Sequence, residues 1–229
     1  MENNDKRGQG IAVGLAGSLL LALLAVYLYA SPEVKARWLI PHLPLPEDAY
    51  DERFLIVNAI LLLWAPLLFI LWGLRAKVEE FGMAPGDARA GWVLAGIGYT
   101  VMLPLLIMAA RQPVFQATYP LRQLVREQPG MLLYWELSYG FYFFLWEWFF
   151  RGFLLFGLRR GFGWHAIWLQ AIPFGLLHWG KPPLEMASAF PGGLLLGLLA
   201  WRAESFLPCF ALHWAIAASM DVLAKLFAH

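Results

Sequence analysis

Long apolar runs decide what this chain can become. Crossing a bilayer takes roughly 20 consecutive apolar residues as a helix. Inside the hydrocarbon only helices and closed barrels satisfy every backbone N–H and C=O. The apolar blocks are longer than barrel strands and predict helices at Ile11–Ala30, Phe54–Leu74, Trp92–Ala110, Met131–Leu158, His165–Gly180, Met186–Trp201 and Phe206–Phe227. The fold expected is all-α: a polytopic transmembrane helix bundle of about seven spans, six to eight as the range. Residues 1–129 would supply N-terminal spans and interfacial loops, and residues 130–229 a helical core carrying the chemistry.

Composition agrees. The chain is 60% hydrophobic and 14% charged, against roughly 25% charged in soluble domains. A net charge of +1 gives no footing for a nucleic-acid partner. Cys209 is the only cysteine, which excludes an internal disulfide framework and a cysteine-rich zinc site. Lys6 and Arg7 before the first run imitate a secretory signal, but Ile11–Ala30 is long for its apolar part and is read as a retained span after a short polar tail. Lys and Arg divide evenly between the two sides, leaving no positive-inside signal; the Arg159-Arg160 turn tips the reading towards a cytoplasmic N-terminus. Of the polar connections, Arg111–Gly130 holds an amphipathic stretch around 121–126 suited to the membrane surface. Glu79-Glu80, with no arginine at helical spacing, reads as solvated charge.

Against this background Glu147 and Arg151 stand out. Each would cost at least ~2.5 kcal/mol if it faced lipid unpaired. Four residues apart on a helix, they sit one above the other in the favourable order, Glu before Arg. The pair is either a structural bridge or part of a functional site. Glu136 lies on the same face, about three turns earlier. His178 lies near the end of the fifth span, Glu185 just after it, and His213 in the seventh, with Asp221 further along a similar face. A carboxylate, a guanidinium and two imidazoles on three spans suggest one buried polar pocket. That set suits hydrolysis: an anionic glutamate accepts a proton from water, and a histidine shares the base role or donates to the oxyanion. No serine completes a nucleophile elbow. Cys209 precedes His213 by four residues, so a thiol–imidazole pair is an alternative. So is zinc on one carboxylate and two histidines, although His-Glu-x-x-His is absent.

The residues from about 130 to 225 resemble the CAAX protease and bacteriocin-processing (CPBP, or Abi) family of intramembrane endopeptidases. The family's Glu-Glu-x-x-x-Arg motif is represented by Trp146-Glu147-Trp148-Phe149-Phe150-Arg151, followed by Gly152. Its Phe-x-x-x-His motif is Phe174-Gly175-Leu176-Leu177-His178, and its His-x-x-x-Asn motif is His213-Trp214-Ala215-Ile216-Ala217. The resemblance implies a membrane-embedded, metal-independent protease of glutamic type with no cofactor, in the bilayer of the bacterial cytoplasmic membrane, acting on a membrane-anchored or lipidated protein or peptide. By the same resemblance Glu147 polarises water with His178, His213 steadies the oxyanion and Arg151 orients Glu147. The Trp-Glu-x-Phe-Phe-Arg-Gly form is similar to the myxosortase-like branch, which implies cleavage of C-terminal sorting anchors. Two positions depart from the pattern: Trp146 replaces the family's first glutamate and Ala217 its asparagine. Glu136 or Glu185 could then stand in as the base. The rival readings are a non-catalytic membrane scaffold or immunity protein and a zinc-dependent membrane hydrolase.

Overall fold

The computed structural model describes residues 2–30, 50–121 and 129–227, and all regular structure among them is helical. Helix α1 is Glu2–Tyr29, α2 runs over 50–73, α3 is Ala88–Ala110 and α4 is the short Pro113–Thr118. After these, α5 runs over 132–162, α6 is Ala166–Leu176, α7 is Pro183–Ala203 and α8 is Leu207–Phe227. Six stretches are long and apolar enough to cross a membrane. One of them, Leu132–Leu176, holds two predicted spans, α5 and α6, with the break at Gly163, whose φ of +54° suits a residue without a side chain. Helices α1, α2, α3, α5, α6, α7 and α8 correspond to the seven expected runs, but α6, at 11 residues, is too short to cross a bilayer by itself; the candidate spans number six among the described residues, the lower end of the expected range.

Three sequence expectations change. The tail before Ile11 is helical, because α1 packs along the far end of α5: a Cβ at Gly10 would stand 2.6 Å from the Gly161 nitrogen, and Arg160 reaches Gln9 at 2.7 Å. The fifth span is shorter than His165–Gly180, since His178 lies in a turn beyond α6. Glu80 is not merely solvated; its carboxylate meets Arg160 at 2.9 Å. The amphipathic stretch around 121–126 falls, Leu121 aside, outside the described residues.

Local chemistry sets the ends. Asp87 caps α3 by accepting the Ala90 N–H at 3.1 Å. Pro183 opens α7, where its missing N–H costs nothing. Gly86, at φ +57°, lets the preceding turn lie against the end of α7, where any Cβ would come within 2.0 Å of the Ala203 carbonyl.

The layers are unequal. In the other candidate spans 22–33% of the most apolar window is buried by protein; in Leu132–Leu176 the share is 83%. Outward leucines and tryptophans such as Leu15, Trp72 and Leu195 leave those outer helices an apolar surface suited to lipid. The hub is α5, with α8 crossing its first half. There Trp135 donates to Asp221 at 2.7 Å and Trp214 to the Glu136 carbonyl at 3.1 Å. On the far side α6 and α7 approach closely: a Cβ at Gly193 would lie 2.9 Å from the Phe174 ring, and one at Gly197 2.5 Å from the Gln170 amide. This is the contact that a small-xxx-small pair permits.

Candidate active site

The middle of α5 is aromatic, and its helix widens there. Trp148–Leu154 is π-helical, the Leu155 N–H reaching back to the Phe150 carbonyl; such insertions gather at functional sites. Glu147 stands at the last α-helical position and Arg151 inside the widened turn. Both are fully buried, and Nη1 of Arg151 donates to Oε1 of Glu147 at 3.1 Å. The guanidinium is held on two further sides: its carbon lies 4.0 Å from the centre of the Phe174 ring, and Nη2 donates to the Gly193 carbonyl at 3.4 Å.

From α8, His213 brings Nδ1 to the same Glu147 Oε1 at 2.6 Å. A carboxylate oxygen accepts, so Nδ1 carries the proton and Nε2 is turned elsewhere. The second carboxylate oxygen, Oε2, is buried with no hydrogen-bond partner among the described residues.

His178 arrives through a tight turn after α6. Its Nδ1 donates to the Phe174 carbonyl at 2.8 Å, and the Lys181 N–H closes the turn on the His178 carbonyl at 3.1 Å. The Tyr29 hydroxyl ties the end of α1 to this turn through the Leu177 carbonyl, at 3.2 Å. Phe174 is the common neighbour, its ring centre 4.8 Å from that of His178 and 5.7 Å from that of His213. Trp146 faces His178 edge-on at 6.3 Å, filling with an indole the position where the family's motif has a carboxylate. Beside it opens a cleft of about 350 Å³, lined by Tyr29, Phe54, Tyr142, Trp146, Trp179 and Lys181 among others.

Glu147, Arg151 and His213 are therefore in direct contact, and His178 joins them through Phe174. The other candidates go elsewhere. Glu136, eleven residues before Glu147, is displaced along α5 by ~16 Å at 1.5 Å per residue. Its neighbours there are Asp221 and Trp214. Glu185 accepts from the Tyr119 hydroxyl and lies 3.9 Å from Lys181; burial first, then the Glu185 charge, pushes the Tyr119 hydroxyl well above its ordinary range, so it stays a donor. The Cys209 thiol turns to the Leu196 carbonyl at 3.2 Å rather than to His213. Ala217 is buried, and its methyl offers no donor. Gln170 escaped the sequence reading. It is fully buried on α6, and its Nε2 donates to the carbonyls of Ile167 and Gly193. The rule that singled out Glu147, a polar group inside an apolar run, would have found it.

Among the described residues no three His, Cys, Asp or Glu side chains gather closely enough to hold a metal ion. Glu147 and His213 spend Oε1 and Nδ1 on each other rather than turning them to a common point. As placed, the donor set does not fit zinc.

Residues 129–219 match the family model described as type II CAAX prenyl endopeptidase Rce1-like. Over this segment the chain is similar to the CPBP family. The matched segment covers α5, α6, α7 and all of the clustered site residues. No curated protein and no solved structure matches the chain. The match carries the Rce1-like description rather than that of the myxosortase-like branch. With six apolar stretches of spanning length and an Rce1-like segment, the chain is a multi-pass integral membrane protein.

Proposed function

We propose that this Rce1-like protein is a glutamic-type endopeptidase that hydrolyses a peptide bond near the lipidated C-terminal end of a membrane-anchored protein. The observation that carries the reading is Glu147 itself: Oε1 is fixed by Arg151 and His213, while Oε2 is a buried acceptor without a partner among the described residues. Water bound at Oε2 and at Nε2 of His178 gives up a proton to Glu147 as its oxygen attacks the substrate carbonyl carbon. His213 steadies the oxyanion that forms. Glu147 passes the proton to the leaving nitrogen as the C–N bond breaks, leaving a new carboxylate and a new amine. Arg151 keeps the carboxylate oriented. The aromatic cleft beside Trp146 suits an apolar anchor entering next to His178. Metal independence is part of the proposal, supported by the poor fit of the donor set to zinc. The resemblance to bacterial relatives adds the cytoplasmic membrane as its site.

The test is cleavage of farnesylated and geranylgeranylated C-terminal peptides by the purified protein in detergent, with and without a chelator. Cleavage that resists chelation and falls by roughly 10²–10⁴ in His178→Ala, with folding intact, is expected. Full activity in His178→Ala, or activity abolished by the chelator and restored by zinc, contradicts it. A second reading has one observation in its favour. Trp146 and Ala217 occupy the positions of two functional groups in the family's motifs, which is what a scaffold that binds without cutting would tolerate. On that reading Glu147→Ala still supports the cellular role, whereas Gly193→Leu, which disrupts the α6–α7 contact, does not.

A further inference from the structure

Gln170 costs the fold something and must return it. It sits at the centre of α6 with no solvent exposure, and its Oε1 is buried without a hydrogen-bond partner among the described residues. A buried amide left half-satisfied is destabilising relative to an apolar side chain of the same shape. Space has nevertheless been cleared for it: any side chain at Gly197 would stand within 2.5 Å of its Nε2. That nitrogen donates to the Gly193 carbonyl at 2.9 Å. The same carbonyl takes the longer bond, 3.4 Å, from Nη2 of Arg151. Arg151 has few other restraints: Glu147 on one edge and the rings of Phe174 and, further off, Phe150. Its Nε finds no partner among the described residues.

Given the site reading above, on which this rests, we propose that Gln170 is a positioning residue: by clamping the Gly193 carbonyl between α6 and α7 it fixes the far edge of the Arg151 guanidinium, and through it Glu147. The two glycines of α7 thereby acquire separate tasks. Gly197 admits the amide, and Gly193 presents the carbonyl that Gln170 and Arg151 share. The role differs from simple helix adhesion in what it restrains. Adhesion would hold α6 to α7 and leave Arg151 indifferent; positioning makes the order of Arg151 depend on an amide from another helix.

The experiment uses the full chain in detergent with four forms: wild type, Gln170→Met, Arg151→Lys and the double variant. Methionine keeps the volume beside Gly197 and removes the donor. With a prenylated peptide as probe, Gln170→Met should lower kcat by roughly ten- to a hundredfold with KM within about threefold of wild type. The double variant should be no worse than Arg151→Lys within about twofold, because Gln170 acts through Arg151. A second readout needs no activity. In protein labelled with nitrogen-15 arginine, the side-chain signal lost in Arg151→Lys should be sharp in wild type and broadened or moved in Gln170→Met. An unchanged Arg151 signal with only a lowered Tm, or kcat losses that multiply in the double variant, would overturn the proposal. Should the wild type cut no peptide, the protease reading fails, while the arginine signal still decides the role of Gln170.

Discussion

Arg151 and Arg159 stand eight residues apart on one helix, and each holds a glutamate at about the same distance: 3.1 Å to Glu147 and 2.9 Å to Glu204. Their surroundings are opposite. The first pair is fully buried at the hub of the bundle; in the second, Glu204 is 54% exposed at the end of the helices. Arg160–Glu80 and Arg202–Asp87 lie with it, binding α5, α7 and the segment before α3 at one end. An exposed pair exchanges one hydrated state for another and is worth little. A buried pair has given up its water, so losing one partner leaves a charge that its remaining contacts compensate only in part. Arg159 can be spared; Arg151 cannot, and only the buried pair presents a carboxylate oxygen held in place yet unspent.

The largest expected effect comes from breaking that contrast. Arg151→Met should destabilise by about 3–5 kcal/mol, leaving the buried Glu147 with His213 but without its guanidinium; chemical unfolding in detergent measures it. Replacing both partners, Glu147→Leu with Arg151→Met, should recover much of this loss, since an apolar pair of similar volume removes both charges together. If the double variant were as unstable as the single one, the pair would be holding the fold rather than serving a site.

Next comes Gly193→Leu, which drives a side chain into Phe174, the ring that touches Arg151, His178 and His213. Overpacking of this kind costs about 1–3 kcal/mol, and activity per folded molecule should fall further than stability does. Trp135→Phe removes the bond to Asp221 at the far end of the α5–α8 contact. A loss of about 1–3 kcal/mol is expected for a buried acceptor left without its donor; because Trp135 also lines the cleft beside Trp146, KM for the prenylated peptide should rise while kcat of the folded fraction changes little.

The exposed pairs should respond least. Arg159→Gln is expected to cost about 0–1 kcal/mol. Their pH dependence has a definite sign. The Lys77 backbone N–H, then Arg160, hold Glu80 below its ordinary 4.5, and the Ala90 N–H, then Arg202, hold Asp87 below 3.8. Both carboxylates are therefore lower in the folded chain than in the unfolded one. Their small contribution is complete above those ordinary values and disappears as pH falls through the lower folded ones. Melting curves taken downward from pH 5 should show a shallow loss that Glu80→Gln reduces; a gain in stability on acidification would contradict the pairing.

The contrast also explains how far the sequence could be read. Glu147 and Arg151 were legible because helical spacing is local and charge in an apolar run is conspicuous. Gly193 and Gly197 were legible for the same reason, as a small-residue period. The partner of Glu80 was not, because Arg160 is eighty residues away and only packing of α5 brings it there. Glu136 was placed on the right face, but a shared face is not a shared position: ~16 Å of helix rise separates it from Glu147. The widening of α5 after Glu147 leaves no mark in composition. Gln170 carries no charge and belongs to none of the family's motifs, so attention to ionisable residues passed over it, although its burial is as complete as that of Arg151.

One measurement bears most directly on the claim that a fixed, half-spent carboxylate at the hub does the chemistry. It is single-turnover cleavage of a prenylated C-terminal peptide by Glu147→Gln, a change that keeps the shape and removes the base, in protein shown to be folded. The account predicts a rate lower by roughly 10²–10⁴ with peptide binding retained. A rate within about threefold of wild type would contradict it, because the water would then be activated somewhere other than Glu147.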